Sequence, residues 1–367
     1  MIEPVVATRA DTPIAGAPPG GAAARRGGDA VRTRGGAQPG PQDGPHNGIY
    51  AAIDLGTNNC RMLVARPSAE GFRVIDSFSR ITRLGEGLAG SGKLSRLAMD
   101  RTIDALGLCA EKMRRRGVTA ARTVATEACR RAANGRAFVQ EVRDRTGLRL
   151  ETITPAEEAR LALGGCAPLL DPDIPYALVF DIGGGSTELL WVEMDPAGEL
   201  SVQGLASLPL GVVTVAEECG GGDLCQRTYD AVKDRIVQLL RPFDLQHALG
   251  DRVRHGEVQM LGTSGTVTTL GGVHLGLKRY DRSLVDGITI DFNDIVEVSR
   301  RLSTMTLRER AQHPCVGRER ADLVLSGCAI LEGLCELWPV GRLRVADRGL
   351  REGMLLDLMR VDAMEVA

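Results

Sequence analysis

Short apolar runs alternate with longer amphipathic stretches along the chain from residue 48 onward. The runs YAAIDL, RTVATEA, YALVFDI and VQMLGTS are apolar and contain β-branched residues, a pattern typical of buried strands. Between them lie segments such as LSRLAMDRTIDALGLCAEKMRRRG, in which apolar positions recur at the helical period. Strands that alternate with helices predict an α/β fold.

Residues 1–47 have a different composition. They are rich in glycine and proline and contain no aromatic residue. Such a segment has too little apolar surface to offset the entropy lost on ordering. We therefore expect a disordered tail and assign it no function.

One pattern occurs twice, and Asp181 follows Asp54 by 127 residues. Residues 50–66 read YAAIDLGTNNCRMLVAR, and residues 177–193 read ALVFDIGGGSTELLWVE. Each copy consists of an apolar strand, an acid, a glycine-containing turn and a second apolar strand. The turns are too short for a crossover helix, so each copy predicts an antiparallel hairpin. Two matched copies predict a duplicated, two-lobed protein.

The residues in these turns are suited to holding phosphate. Glycines let an anion approach backbone N–H groups, and hydroxyl or amide side chains add further donors. An acid at the strand end would repel phosphate unless a cation such as Mg²⁺ lay between them. The residues predicted to bind phosphate in the two turns are Gly56, Thr57, Asn58, Gly183, Gly184, Gly185, Ser186 and Thr187.

Further motifs in a fixed order resemble one family closely. They are AIDLGTNN, RLGEGL, VATEACRRAANG, EEARLA, DIGGGSTEL, PLGVV, GTSGT, ERADLVLSGCAIL and GLREGML, between residues 52 and 355. The chain resembles the exopolyphosphatase/guanosine pentaphosphate phosphatase (Ppx/GppA) family, within the superfamily of actin, sugar kinases and heat-shock chaperone ATPases. The resemblance implies two RNase H-like α/β domains, 48–160 and 161–367, with the active site in the cleft between them. It also implies that the C-terminal helix packs back on the first domain.

The resemblance implies an activity as well. Family members use water and a divalent metal, usually Mg²⁺, to remove terminal phosphates from inorganic polyphosphate or the 5′ γ-phosphate from guanosine pentaphosphate (pppGpp). Mn²⁺ is the alternative metal here. The chain has no His-Asp dipeptide, so we expect the additional helical domain of longer members to be absent. Without that domain, short polyphosphate chains or a nucleotide are the expected substrates.

Acidic residues in these motifs match the catalytic and metal positions of the family. Glu158 matches the general base, on a helix that Pro155 is predicted to start because its fixed φ suits the first turn. Glu188 matches an acid that supports metal or water binding. Asp181 matches an acid of the metal site, and Asp54 is its counterpart by the internal symmetry.

Two further segments are expected at the cleft. Arg130, in TEACRR, matches the family's phosphate-binding arginine. The stretch VQMLGTSGTVTTL reads as a strand, a glycine turn and a helix N-terminus, which favours anion binding. We therefore expect Ser264, Gly265 and Thr266 in the cleft wall.

Composition excludes some functions and leaves others open. The formal net charge of −2 argues against non-specific binding to nucleic acid or to an anionic membrane. No stretch reaches the length of a membrane span, and nine cysteines without a Cys-x-x-Cys pair indicate a reduced, cytoplasmic protein. A homodimer is compatible with the family. A small-molecule kinase and a non-hydrolytic sensor of alarmones or polyphosphate stay open as alternatives.

Overall fold

The computed structural model describes residues 5–8, 48–69 and 71–366 of the chain. The strands are β1 (Val5–Thr8), β2 (Tyr50–Leu55), β3 (Asn59–Ser68), β4 (Gly71–Ile81), β5 (Ala120–Ala125), β6 (Leu150–Thr152), β7 (Tyr176–Ile182), β8 (Thr187–Met194), β9 (Leu200–Leu208), β10 (Val258–Thr263), β11 (Thr289–Asp291) and β12 (Arg342–Ala346). The helices are α1 (Leu88–Ser91), α2 (Arg96–Arg116), α3 (Glu127–Arg131), α4 (Gly135–Thr146), α5 (Pro155–Cys166), α6 (Val212–Glu218), α7 (Gln226–His247), α8 (Leu249–Arg254), α9 (Ser264–His274), α10 (Arg282–Val285), α11 (Phe292–Thr304), α12 (Leu307–Gln312), α13 (Val324–Leu337) and α14 (Leu350–Val366). Among the helices described, none is long and apolar enough to cross a membrane.

The first lobe consists of a five-stranded sheet with helices α1–α4. Its strand order is β4-β3-β2-β5-β6, with β2, β3 and β4 antiparallel and β5 and β6 parallel to β2. Helices α2 and α4 bury residues such as Ile103, Leu106 and Phe138 against one face of this sheet. Helix α2 begins after Ser95, whose side chain accepts a hydrogen bond from the N–H of Ala98, and so satisfies one of the free donors of the first turn.

The second lobe consists of a seven-stranded sheet with helices α6–α13. Its strand order is β1-β9-β8-β7-β10-β12-β11, and β7, β10 and β12 are parallel. Helices α7, α9, α11 and α13 pack on one face and form the largest apolar core of the molecule. The mixed sheets flanked by helices confirm the predicted α/β class.

Both predicted hairpins are present. Strands β2 and β3 pair antiparallel with Asp54 opposite Arg61, and strands β7 and β8 pair antiparallel with Asp181 opposite Glu188. Each hairpin occupies the same position in its sheet, next to a parallel strand on the other side. The duplication inferred from the sequence is therefore a duplication of structure.

Helices α5 and α14 join the two lobes. Helix α5 begins at Pro155, as predicted, behind the cap residue Thr154, and it leads from β6 of the first sheet to β7 of the second. It buries Leu161 against the first sheet and Leu163 against the second. Helix α14 crosses α5 and covers the free face of the first sheet with Met354. The two lobes consequently share both helices.

Further contacts link the lobes near the open side of the cleft. A terminal guanidinium nitrogen of Arg83, Nη2, lies 2.9 Å from Asp322 Oδ2. The backbone N–H of Gly87 donates a hydrogen bond of 2.8 Å to Glu217 Oε1. Both contacts connect the loop before α1 with the second lobe.

Strand β1 differs from the expectation of a disordered tail. Its residues Val5–Thr8 pair antiparallel with β9 at the edge of the second sheet. Two valines and a threonine are β-branched and favour an extended backbone. The rest of that predicted tail lies outside the described residues.

Candidate active site

The carboxyl ends of parallel strands from both sheets meet at the cleft between the lobes. In such sheets, ligands bind beyond the carboxyl ends of the strands. Asp54 lies near the end of β2 and Thr126 follows β5; Asp181 and Thr263 lie near the ends of β7 and β10, and Asp347 follows β12. All five line one cleft, so the topology alone gathers residues from distant parts of the sequence.

The two loops after β2 and β7 have the same hydrogen-bonded turn. In loop 1 (residues 56–58) the N–H of Gly56 donates to Asn59 O at 2.9 Å, and in loop 2 (residues 183–186) the N–H of Gly183 donates to Ser186 O at 2.9 Å. Within the described chain, no hydrogen bond is seen from the amides that follow Gly56 or Gly183 inside these turns. Free amides of this kind, on both sides of a cleft, are donors suited to an anion.

The loops also touch one another. A methyl group built on Gly184 would lie 3.2 Å from the backbone nitrogen of Asn58. Loop 1 is held from behind, because the carbonyl of Asn58 accepts the N–H groups of Thr82 and Arg83. The two loops are therefore close together where they line the cleft.

Two half-buried acids, one from each lobe, line the cleft. Burial raises the pKa of Asp181 to about 6, with a further increase from the charge of Asp54, while the neighbouring Ser264 lowers it. Burial also raises the pKa of Asp54, against the opposing charges of Arg61 and Arg351. Burial is thus the main cause of the raised pKa of both acids, and nearby arginines only partly oppose it.

Glu158 lies on the first turn of α5 and lines the same cleft. Burial, and then the charge of Glu188, raise the pKa of Glu158, while Arg130 lowers it. Arg130 donates from Nη1 to Glu158 Oε2 at 2.8 Å and from Nη2 to Glu127 Oε2 at 3.0 Å. Glu188 is buried on β8 and accepts from Ser207 Oγ at 3.1 Å. A basic carboxylate is thereby fixed at the cleft surface.

The donor set fits a hydrated divalent cation. Among the described residues, no three His, Cys, Asp or Glu side chains form a complete ligand set. Mg²⁺ does not need one, because it keeps several waters and binds one or two carboxylates together with substrate phosphates. Asp54 and Asp181 are two carboxylates that line the cleft. The buried Oδ1 of Asn58 has no hydrogen-bond partner in the described structure, and such an atom calls for a ligand or a water.

The structure brings most of the predicted site residues to this cleft. The predicted residues that line it are Asp54, Gly56, Thr57, Asn58, Glu158, Asp181, Gly183, Gly184, Gly185, Ser186 and Ser264. Gly265 and Thr266 line an adjoining groove that shares Asn58 and Ser264 with the cleft. Glu188 and Arg130 lie behind the cleft surface, in contact with the residues described above.

Thr187 does not take the predicted place. Its hydroxyl donates to Leu210 O at 2.7 Å, and its side chain is buried. Successive side chains on a strand point to opposite faces, so Glu188 on β8 faces away from Thr187. The prediction that the Thr187 hydroxyl binds phosphate is therefore wrong in this structure.

Several arginines at the cleft were not predicted. Arg61 lies opposite Asp54 on β3, and the hairpin register that pairs them would have indicated it. Arg348 and Arg351 come from the far end of the chain, in GLREGML. Arg348 Nε donates to Asp286 Oδ2 at 2.9 Å, so its charge is already matched. Burial lowers the pKa of Arg351.

Two α/β lobes that hold free amides, carboxylates and arginines in one cleft define a protein that acts on phosphate compounds. The family model described as "Ppx/GppA phosphatase family" matches residues 63–361, and the chain belongs to that family. It is 31% identical over 326 residues to exopolyphosphatase 2 of Mycobacterium tuberculosis (strain H37Rv), covering 84% of this chain and 98% of the relative. The chain is thus a phosphatase, a hydrolase of phosphoanhydride bonds, and its family implies dependence on a divalent metal.

Solved structures agree with this assignment. The Ppx/GppA family member from Aquifex aeolicus has a TM-score of 0.69 and 27% identity, covering 86% of this chain and 98% of that one. An exopolyphosphatase from Cytophaga hutchinsonii has a TM-score of 0.76 at 20% identity, covering 85% and 98%, and supports the fold. The predicted fold of two duplicated, actin-like ATPase domains is confirmed.

Proposed function

We propose that the protein removes terminal phosphates from inorganic polyphosphate, preferentially from short chains. The observation that supports this most is that the Glu158 carboxyl lines the same cleft as the free amides of both loops. A terminal phosphate held by those amides would lie beside a carboxylate that accepts a proton from water. The relative matched over nearly its whole length is named exopolyphosphatase 2.

In this proposal Glu158 is the general base. Its raised pKa makes the carboxylate a better proton acceptor than an exposed glutamate, and proton transfer of this kind contributes roughly 10²–10⁴-fold to rate. Arg130 fixes its orientation through the 2.8 Å hydrogen bond. Water attacks the terminal phosphorus, its proton passes to Glu158, and the bond to the bridging oxygen breaks.

Asp181 and Asp54 are the residues proposed to hold the divalent cation. Glu188, on the neighbouring strand β8, is proposed to support that site. We favour Mg²⁺, with Mn²⁺ as the alternative. A cation bound there would supply positive charge next to the phosphate oxygens, which the two carboxylates would otherwise repel.

Guanosine pentaphosphate is the second candidate substrate. The groove that adjoins the cleft contains Val212, Leu323 and Val324, an apolar surface on which a base could lie. Among the described residues, the cleft itself is lined by polar residues and glycines, with Leu350 as an apolar exception and no aromatic ring. This lining favours a ligand made of phosphate groups alone.

Phosphate release from tripolyphosphate, long-chain polyphosphate and guanosine pentaphosphate tests the proposal. Each substrate is supplied at equal phosphoanhydride concentration with Mg²⁺, with Mn²⁺ and with EDTA. We expect the highest kcat/KM for tripolyphosphate and no release in EDTA. A higher kcat/KM for the nucleotide would assign the protein as a pppGpp phosphohydrolase instead. Failure to cleave any of the three would overturn the proposed function.

The cellular compartment and the oligomeric state of the protein are two further proposals. We propose a cytoplasmic protein, which suits nine cysteines that carry free thiols throughout the described structure. The proposed homodimer is checked by light scattering at several protein concentrations, where a constant monomer mass would contradict it.

A further inference from the structure

Arg351 has an unusual position at the start of α14. Its side chain is only 14% exposed and lines the cleft. The nearest carboxylate oxygen, Glu352 Oε1, is 4.0 Å away, and that same oxygen accepts a hydrogen bond of 2.6 Å from Arg282. No hydrogen bond joins the Arg351 guanidinium to any other residue that the structure describes. A largely buried guanidinium whose one ion pair is as long as 4.0 Å, and which makes no hydrogen bond to the described residues, keeps its N–H donors for an anion.

The first turn of α14 is fixed in place around Arg351. Glu352 Oε2 accepts from the N–H of Gly349 at 2.9 Å, and Arg282 holds its other oxygen. Thr263, at the end of β10, donates to the carbonyl of Arg348 at 2.6 Å. The N–H groups at the start of this 17-residue helix have no intrahelical acceptors, and Leu350 and Arg351 line the cleft. A rigid donor set is therefore already arranged.

Arg351 and Arg130 serve different parts of the cleft. Arg130 binds Glu158 and lies within electrostatic range of Glu188. Arg351 interacts electrostatically with Asp54 and Arg61 instead. The two arginines therefore have different acidic neighbours: Glu158 and Glu188 for Arg130, and Glu352 and Asp54 for Arg351.

We propose that Arg351, with the first N–H groups of α14, binds the penultimate phosphate, which is the leaving group. This inference rests on the proposed hydrolysis at Glu158. When water attacks the terminal phosphorus, the bond to the bridging oxygen breaks and its electron pair stays on the penultimate phosphate. The negative charge that develops there is stabilised by the guanidinium. Removing one such donor typically costs about 10²–10³-fold in kcat.

The test compares three variants with the wild type. Arg351→Gln removes the charge, Arg351→Lys keeps a charge but not the planar fork, and Arg300→Gln removes one arginine charge from the exposed surface of α11 as the matched control. Thermal unfolding first shows whether each variant is folded. The measurements are kcat/KM with tripolyphosphate and the inhibition constants of pyrophosphate and orthophosphate.

We expect kcat/KM to fall about 100-fold in Arg351→Gln, with Arg351→Lys in between and Arg300→Gln like the wild type. Pyrophosphate inhibition should weaken about 10-fold while orthophosphate inhibition stays unchanged, because orthophosphate occupies the terminal position. An unchanged kcat/KM, or equal weakening of both inhibitors, would overturn the assignment of Arg351.

Binding measurements keep the two proposals separate. Calorimetric titration of pyrophosphate into the protein in the presence of Mg²⁺ measures binding and does not depend on polyphosphate turnover. If the wild type cleaves no polyphosphate, the proposed function fails, yet loss of pyrophosphate binding in Arg351→Gln alone would still establish Arg351 as an anion-binding residue. If the wild type cleaves polyphosphate and Arg351→Gln binds pyrophosphate equally well, the role of Arg351 fails alone.

Discussion

Thr57 of loop 1 is in direct contact with Gly185 of loop 2. A methyl group built on Gly185 would lie 2.6 Å from Thr57 Oγ1, closer than real Cβ contacts. The two residues come from different lobes. The loops can approach this closely because Gly185 has no side chain. The proposed phosphate contacts from both loops require this spacing.

Gly185→Ala should therefore separate the loops and lower kcat/KM for tripolyphosphate by about 10-fold or more, at a stability cost of about 1–3 kcal/mol for the overpacking. Gly107→Ala, on α2, meets nothing within 4 Å and is the control, with activity unchanged. Steady-state kinetics and urea unfolding check both variants. Wild-type kinetics in Gly185→Ala would show that the loops are not constrained by this contact.

Glu158→Gln should lower kcat by roughly 10²–10⁴-fold, because the amide keeps the shape of the side chain but cannot accept the proton. Glu157→Gln is the control from the adjacent position. Glu157 pairs with Arg122 on β5 and does not line the cleft. Phosphate-release assays under identical conditions measure both. Equal activities of the two variants would remove Glu158 from the mechanism.

Asp76→Asn should destabilise the first lobe in a pH-dependent manner. Asp76 on β4 accepts from Lys112 at 2.8 Å and from Arg116 at 2.9 Å, and these bonds to α2 lower its pKa to about 2. A folded-state pKa below the unfolded value of about 3.9 gives stability that is present above about pH 4 and is lost as the pH falls toward 2. We expect a cost of about 1–2 kcal/mol at pH 7, reduced from the full shift because both cations are partly exposed.

Urea unfolding of Asp76→Asn and wild type between pH 3 and pH 7 measures this effect, and the difference should shrink below pH 4. Asp104→Asn is the control, because it removes one carboxylate from the exposed side of helix α2. A difference that is constant with pH would mean that packing, not charge, links β4 to α2.

Gly353→Ala should be one of the most destabilising single changes in the chain. Its methyl group would lie 1.9 Å from Leu161 O, where α14 crosses α5, and the carbonyl belongs to the helix backbone and cannot move aside. We expect a loss of about 3 kcal/mol or more. Gly164→Ala, at the same crossing but 4.0 Å from Gly353 Cα, should be tolerated within about 1 kcal/mol. Similar melting temperatures for both variants would contradict the close crossing.

The hairpins and the residues around them could be predicted from sequence because the information is local. An acid, a glycine and small polar residues between two apolar strands determine the turn, and the repeat of this pattern indicated the two lobes. The alternation of side-chain directions along β8 could also be read from the sequence. It would have placed the Thr187 hydroxyl in the core beside Leu210 rather than in the cleft.

Arg351 could not be placed in this way. The residue lies far along the chain from Asp54, and its place in the cleft depends on α14 returning across α5 to the first lobe. Burial of Glu188 and its hydrogen bond to Ser207 on β9 likewise arise from strand pairing at long range. Sequence patterns define local turns, whereas these positions are set by tertiary packing.

The return of α14 also affects how the protein is made. Leu350, Met354 and Leu355 complete an apolar layer with Tyr50 and Ala52 of β2, near the opposite end of the chain. During synthesis, the face of the first sheet that receives this helix stays uncovered until α14 has left the ribosome. The N-terminal lobe therefore cannot complete its folding ahead of the C-terminal lobe, unlike domains that fold in the order of their translation.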